Sequence, residues 1–470
     1  MAVYIHNSLS KQKEELVPRK GKTVNMYTCG VTVYDKCHIG HARSLYIFDV
    51  IWRYLEYRGY QVNFIRNITD IDDKIINRAV ELNKSWEEVV NENINSYQKD
   101  LKDLDIRYDV LREPRATKNI PGMIEHIKAL MDKGYAYEKD GDVYFSVRKF
   151  KDYGKLSGQS IEQMMEAVRI EKDTKKKDPL DFALWKKSKE NEPFWDSPWG
   201  QGRPGWHIEC SVMSLKHLDC ETLDIHGGGQ DLIFPHHENE IAQAEALTGK
   251  PFAKYWIHHG LLTINGQKMA KSLGNFVTIE DALSKYDANS LKLFFLSARY
   301  QSAVDYTQEK MNIAENAYKD FNDVLRELKG IYQEKYIERL REFDKGIEPE
   351  LLFSKFLESM DDDFNTPKAL SWLFAIVNWC KTKMLEEDSE PKRLVLSCAR
   401  DYIEKMLNIF GVIPDVSDIS LSEEVKKLLE ERQLARKKKN FQRADELRDQ
   451  LSKKGILVED TKEGQKIKKI

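Results

Sequence analysis

The sequence predicts an α/β fold: a doubly wound parallel sheet, interrupted by an insertion and followed by helices. Three observations carry this expectation. Residues 24–28 form a β-branched and aromatic run, and after a glycine-containing loop Leu45, Phe48, Ile51 and Leu55 recur at helical spacing. Residues 62–65 read as the next strand, which completes a βαβ unit of the kind that parallel pairing requires. Strand-like, glycine-rich sequence returns at Leu223-Asp-Ile-His-Gly-Gly-Gly, and a helix is expected from Pro235, whose fixed φ suits a first turn.

Taken in order, residues 1–107 are expected to form the first half of a Rossmann-like domain and residues 200–280 the second. Between them, residues 108–199 are lysine-rich and irregular, with the run Lys175-Lys176-Lys177 and then the aromatic and proline cluster WDSPWGQGRPGW; they read as an insertion. Residues 281–315 connect to a helical domain at 316–415, where LSWLFAIVNWC shows helical periodicity. Residues 416–470 form a charged unit of two helical stretches parted near Asn440, with a hairpin turn expected at Lys462-Glu-Gly464. From Ile419 to Ile470 fifteen Lys and Arg face ten Asp and Glu, so this unit is basic although the whole chain carries a net charge of −3.

At 470 residues the chain is too long for one ordinary core and suggests about three domains. The 41% apolar and 32% charged content is that of a globular protein. Its six cysteines are too sparse for a disulfide framework, which points to a reducing compartment and makes metal binding the chemistry to look for. The N-terminus lacks an apolar signal region, and no apolar run approaches the ~20 residues of a membrane helix, so a cytoplasmic protein is expected.

Two short motifs carry phosphate chemistry. His38-Ile39-Gly40-His41 falls between the first strand and the first long helix, where helix-end amides favour phosphate and Gly40 allows a nucleotide close to the backbone. Lys268-Met269-Ala270-Lys271-Ser272 places two lysines in a glycine-flanked loop that can close on phosphates. Each alone is equally a solvated loop; together, at opposite ends of an interrupted α/β sheet, they reinforce one another. Gly229 and Asp231 fit a strand-end turn with a carboxylate for ribose hydroxyls.

The HIGH and KMAKS sequences resemble the paired signatures of class I aminoacyl-tRNA synthetases. TCGVTVYDKCHIGHARS, RNITDIDDKI, DPLDFALWK, GRPGWHIECS, GGGQDLIFPHHENEIAQ and DDDFNTPKAL narrow the resemblance to cysteinyl-tRNA synthetases and extend it over most of the chain. The resemblance implies activation of L-cysteine with ATP and Mg²⁺, transfer to tRNA(Cys), a tRNA-stem contact at residues 281–315, anticodon binding by residues 416–470, and a monomer. Within the basic unit Arg432, Arg436, Lys437, Lys438, Lys439, Arg443 and Arg448 are the candidates for phosphate and anticodon contacts. His38, His41, Lys268 and Lys271 would then be catalytic, with Gly40, Gly229, Asp231 and Lys271 on ATP. Ala270 stands where many class I members carry serine, and GQKIKKI lacks a tryptophan expected near Ile467.

For the metal, residue types offer Cys29, Cys210 and the i, i+4 pair His236 and Glu240 as zinc donors, or equally as two buried thiols and an unrelated helical pair. The resemblance implies that these four hold one zinc. His237 is the competitor, but on a helix it projects about 100° away with Ile241 one turn on, so spacing favours His236. Cys37 and Cys220 are expected to be structural. Glu240 is expected to be the long, weak ligand, since four tight protein ligands leave no open position. By resemblance Trp206 would close the pocket, Thr69 with Asp70 would orient the amino acid, and His226 would stand behind the metal. A ligase for a small amine, a HIGH-type nucleotidylyltransferase and a catalytically silent RNA-binding relative explain less. They leave the C-terminal unit, the zinc donors or the intact motifs without a purpose.

Overall fold

Short apolar runs and amphipathic stretches alternate along the chain. The computed structural model describes residues 2–107, 111–167, 175–331, 347–417, 423–461 and 464–469. The first part contains β1 (Tyr4–Asn7), β2 (Gln12–Glu15), β3 (Thr23–Thr32), α1 (Ile39–Tyr57), β4 (Gln61–Thr69), α2 (Asp73–Leu82) and α3 (Trp86–Asp103). Next come α4 (Ile120–Asp132), β5 (Ala136–Lys139), β6 (Asp142–Phe145), α5 (Ile161–Ala167), β7 (Phe182–Lys187), β8 (Gly202–Pro204), α6 (Trp206–Leu218) and β9 (Leu223–Gly229). They are followed by α7 (Glu238–Thr248), β10 (Ala253–His259), β11 (Leu262–Ile264), β12 (Gln267–Lys268), α8 (Ile279–Leu283), α9 (Ala288–Leu296), β13 (Val304–Tyr306) and α10 (Gln308–Lys329). The remainder is α11 (Glu348–Asp361), α12 (Thr366–Met384), α13 (Glu390–Ile409), α14 (Glu423–Lys437), α15 (Phe441–Lys453), β14 (Ile456–Thr461) and β15 (Gly464–Lys469).

The central sheet has the order β10-β9-β3-β4 and every pairing in it is parallel. From β3 the chain crosses through α1 to β4 on one side, and from β9 it crosses through α7 to β10 on the other. β3 and β9 are therefore the strands at which the winding reverses, and their carboxyl ends are where a doubly wound sheet places its ligand crevice. Thr28 pairs with Gly227, so Cys29 and Gly228 stand at its lip.

Three details differ from the sequence reading. The insertion is not irregular: β5, β6, β7 and β8 make an antiparallel sheet beside α4, with alternation hidden by its brevity and by flanking lysines, as in FALWKK. The stretch after residue 281 is not purely helical either, because β13 pairs in parallel with β11. Finally, α7 begins at Glu238 rather than at Pro235, since Phe234 is extended (φ −136°, ψ 132°) and breaks the turn.

The chain divides into two compact units, residues 1–316, 350–375 and 404–412 forming one, and 317–349, 376–403 and 413–470 the other. In the first, the buried Arg43 of α1 donates to the carbonyls of Gly260 (2.6 Å), Leu261 (2.9 Å) and Ser302 (2.6 Å), satisfying loop backbone that would otherwise be orphaned. In the second, Val425, Leu429, Leu451, Ile456 and Val458 close a small core beneath the β14–β15 hairpin. Arg432, expected among the RNA-facing residues, is 0% exposed and donates instead to Asp460 (3.0 and 2.9 Å) and Gln465 (3.1 Å). Residues 462 and 463 of the expected turn lie outside the described residues. Among the described residues no helix is long and apolar enough to cross a membrane.

Candidate active site and metal centre

Four elements bring donor atoms to the crevice. Cys29 comes from the end of β3, Cys210 from the buried face of α6, His236 from the irregular turn before α7, and Glu240 from the first turn of α7. Cys29 Sγ lies 3.7 Å from Cys210 Sγ and 3.4 Å from Glu240 Oε1. Glu240 Oε1 is 2.8 Å from His236 Nε2, while Oε2 is 2.7 Å from His226 Nε2. The four donors, one atom each, all lie within 4.8 Å of one another.

These residues fit a zinc ion. A sulfur separation of 3.7 Å is far beyond the ~2.05 Å of a disulfide. It is close to the roughly 3.8 Å between two sulfurs that each stand ~2.3 Å from one tetrahedral zinc. His236 Nε2 is buried and makes no hydrogen bond of acceptable geometry despite its closeness to Glu240. Its Nδ1 is 2.9 Å from His207 Nδ1, a contact that orients the ring and leaves Nε2 facing the thiols.

The electrostatics agree. Burial opposes charge throughout, yet the imidazoles of His226 and His236 hold the Glu240 carboxyl well below its usual range. Against the same burial, Glu240 and Cys210 push His236 up to about 10. The Cys210 thiol is lowered, overcoming burial through its bonds with Cys29 and His236, whereas burial and Cys210 raise Cys29. Donors whose charge is balanced by a proton on His236 are donors that a divalent cation balances instead.

His237 is also drawn in. Its Nε2 lies 3.3 Å from Cys29 Sγ and its Nδ1 2.8 Å from His258 Nε2, so a second set of Cys29, His226, His237 and Glu240 also has its donor atoms within 4.8 Å. The 100° argument does not apply to it, because residues 233–237 are not regular α-helix. Spacing gave no signal for this, nor for His207.

Around the donors, Trp206 is 37% exposed and stacks on His236 with ring centroids 4.0 Å apart. The buried Thr69 donates to Glu209 Oε2 (2.7 Å) and accepts from Asn67 Nδ2 (3.2 Å). Asp70 is engaged by the Thr117 amide (2.9 Å) and hydroxyl (2.6 Å), which makes it a structural tie to that turn. His226 is fully buried and stacks on Trp256 at 4.6 Å, so it braces Glu240 from behind.

His38 is the N-cap of α1. Its Nδ1 accepts from the His41 amide and His41 Nδ1 accepts from the His38 amide, both at 3.2 Å, and the two rings stack at 3.7 Å. A neutral imidazole that accepts at Nδ1 carries its proton on Nε2, so both rings offer an Nε2–H donor. Burial lowers His38 to about 4 and His41 to about 3. Both are therefore neutral above about pH 5, and the pH profile of their reaction should show no limb from either above that point. Proton NMR of the two rings checks this directly. The same depression means that stability is lost as pH falls from 6.5 through about 4, where the unfolded chain takes up the protons first. At Gly40 a Cβ would stand 2.9 Å from the His38 ring, so only glycine leaves the cap intact.

The lysine loop meets this motif. Ile39 N donates to Val277 O (3.1 Å) and Ile279 N to Cys37 O (3.0 Å), while Phe276 packs edge-on to His38 at 5.3 Å. Lys268 and Lys271 are exposed, and Lys271 is ion-paired to Asp35. At the end of β9, Asp231 folds back so that a Cβ on Gly229 would stand 2.3 Å from its Oδ1; the glycine makes room for the carboxylate.

Residues 15–316 match the family described as tRNA synthetases class I (C) catalytic domain, residues 355–414 the DALR domain, and residues 418–467 the cysteinyl-tRNA ligase anticodon binding domain. The cysteine–tRNA ligase of Persephonella marina is 48% identical over 492 residues, covering 100% of each chain. That of Aquifex aeolicus is 46% identical over 503 residues, covering 100% of this chain and 99% of the relative. Among solved structures, Mycobacterium tuberculosis methionyl-tRNA synthetase in complex with methionyl-adenylate shares the fold. It has a TM-score of 0.61 at 14% identity, over 84% of this chain and 92% of that one.

Proposed function

The chain belongs to the cysteinyl-tRNA synthetases, and from that premise we propose how its residues divide the work of this ATP-dependent ligase, which charges tRNA(Cys) with cysteine. A cysteine carboxylate oxygen attacks the α-phosphorus of ATP, and the bond to pyrophosphate breaks, leaving cysteinyl-adenylate. A ribose hydroxyl at the 3′ end of the tRNA then attacks the adenylate carbonyl, and AMP leaves. No side chain acts as a covalent nucleophile, so positioning and charge stabilisation supply the rate.

His38 and His41 donate from Nε2 to the phosphates, and Lys268 and Lys271 bring positive charge as pyrophosphate departs. Gly40 keeps the backbone accessible to the nucleotide, and Asp231, given room by Gly229, accepts from the ribose. Trp206 closes the amino-acid pocket, Thr69 shapes its floor, and His226 holds Glu240 in place. Mg²⁺ accompanies ATP.

Cys29, Cys210, His236 and Glu240 hold one zinc. When bound there, zinc supplies a soft Lewis acid that prefers a thiol deprotonating near pH ~8.5 to a hydroxyl of far higher pKa. Shape alone separates such near-isosteres by only about 10²-fold, so a thiol-reading metal explains selection without editing. Glu240, with only Oε1 free of the His226 contact, is the ligand expected to bind most weakly.

The convergence of two thiols, an imidazole and a carboxylate at the carboxyl end of β3 is the observation that carries this reading. Its test is cysteine-dependent ATP–pyrophosphate exchange with serine as control. Chelation should abolish exchange and added zinc should restore it; exchange that survives in demonstrably zinc-free enzyme contradicts the reading.

We also assign tRNA phosphate and anticodon contacts to Arg436, Lys437, Lys438, Lys439, Arg443 and Arg448, with Arg432 acting instead as an internal brace. Neutralising Lys437, Lys438, Lys439 and Arg448 should flatten the salt dependence of tRNA binding, by about one unit of log–log slope for each phosphate that is no longer neutralised, while pyrophosphate exchange is unchanged. Filter binding across a salt series reads the slope. We further propose that the enzyme acts in the cytoplasm and as a monomer.

A further inference from the structure

The base of the lysine loop and its tip are held very differently. The base is tied to the segment before α1 by the two backbone bonds at Ile39 and Ile279, and by Lys36 Nζ, which lies 2.6 Å from Glu280 Oε2. The tip, residues 265–275, is mostly exposed, with Met269, Ala270 and Asn275 half-buried, and it contains Gly266 (φ 77°) and Gly274 (φ 65°), both in the left-handed region with open space around them. Asn275 steadies it from within, its Oδ1 accepting from Ala270 N (2.9 Å) and its Nδ2 donating to Lys268 O (3.1 Å). Among the described residues, the one ion pair made by the tip is Lys271 to Asp35.

Asp35 is well placed to hold that lysine. It lies in the segment between β3 and α1, three residues before His38, and its carboxylate also accepts from the Lys36 amide (2.8 Å) with Arg78 4.0 Å away. The Lys271 ammonium lies 5.2 Å from the centroid of Phe276, the same ring that packs against His38. A carboxylate thus occupies the ammonium at the edge of the site where phosphate is expected, and an ammonium satisfied by one anion is weakened for another. Despite partial burial, Lys271 and the Lys36 amide keep the Asp35 carboxyl below its usual range, so it is charged at neutral pH.

We propose that Asp35 is a positioning residue that competes with the ATP phosphates for the Lys271 ammonium, so that nucleotide engagement of the loop requires the Asp35–Lys271 pair to be exchanged for a phosphate contact. The inference rests on the phosphate role given above to Lys271.

The test compares Asp35→Asn, Asp35→Glu, Lys271→Ala and the Asp35→Asn/Lys271→Ala pair in the full-length enzyme. Asp35→Asn should lower the KM for ATP in pyrophosphate exchange by on the order of two- to five-fold, the range of an exposed ion pair, with kcat changed less than about two-fold. It should also speed tryptic cleavage at Lys268 and Lys271 without nucleotide, and a saturating non-hydrolysable ATP analogue should erase that difference. Asp35→Glu, which keeps the charge, should restore both values. In the Lys271→Ala background Asp35→Asn should have no effect on KM for ATP, because the competition no longer exists.

An unchanged or raised KM for ATP with Asp35→Asn, or the same KM shift in the Lys271→Ala background, overturns the proposal. The two readings separate cleanly. If Lys271→Ala leaves exchange intact, the phosphate role of Lys271 fails and takes the proposal with it. If Lys271→Ala cripples exchange while Asp35→Asn alters neither KM nor cleavage, the competition alone fails.

Discussion

Cys210→Ser should release zinc and abolish cysteine-dependent pyrophosphate exchange. Metal analysis of the purified variant should find far less than one zinc per chain, because a hydroxyl replaces the thiol that the site lowers towards its charged form. Pyrophosphate exchange with cysteine should fall to the level seen with serine, as it should on chelation of the wild-type metal. Serine conserves the volume, so thermal unfolding should shift only modestly and separate loss of metal from loss of fold. By the same logic His226→Ala should weaken zinc about 10- to 100-fold rather than eliminate it, since it removes a brace on Glu240 and not a donor. Competition with a calibrated chelator measures both.

Lys271→Ala should lower kcat for pyrophosphate exchange by about 10²- to 10³-fold, the usual consequence of removing one group that stabilises transition-state charge. The KM for cysteine should hardly move, because the role assigned to Lys271 is on the phosphates and not on the thiol. Steady-state exchange kinetics with each substrate varied in turn reads the two effects apart. Lys271→Arg, which keeps the charge but changes the donor geometry, should fall between wild type and alanine. An equal loss in Lys271→Ala for cysteine binding would mean that the loop shapes the amino-acid pocket as well.

What the sequence made legible follows the physics of each signal. The βαβ opening was readable because apolar periodicity in α1 and a β-branched run before it are local properties. The small sheet of the insertion was not, because strands of three to six residues such as β7 and β8 hold too few alternations to stand out among lysines. Spacing alone does not rank His237 against His236, because a helical projection does not hold over residues 233–237, where Phe234 is extended. Arg432 cannot be told from its exposed neighbours by composition, which reports charge and not burial; its partner, Asp460, lies 28 residues away. The meeting of Cys29 with Cys210, 181 residues apart, was open on residue types alone and emerged only through family resemblance. Once they were placed side by side, the 3.7 Å sulfur separation gave that resemblance a physical reason.

The central claim is that a zinc held by Cys29, Cys210, His236 and Glu240 reads the substrate thiol. X-ray absorption at the zinc edge, recorded with and without bound cysteine, tests it most directly. Without substrate the spectrum should fit two sulfurs at ~2.3 Å with nitrogen and oxygen making up the rest. With cysteine it should fit three sulfurs, and serine should leave it unchanged. Two sulfurs in both states, with cysteine demonstrably bound, would make the metal purely structural and contradict the account.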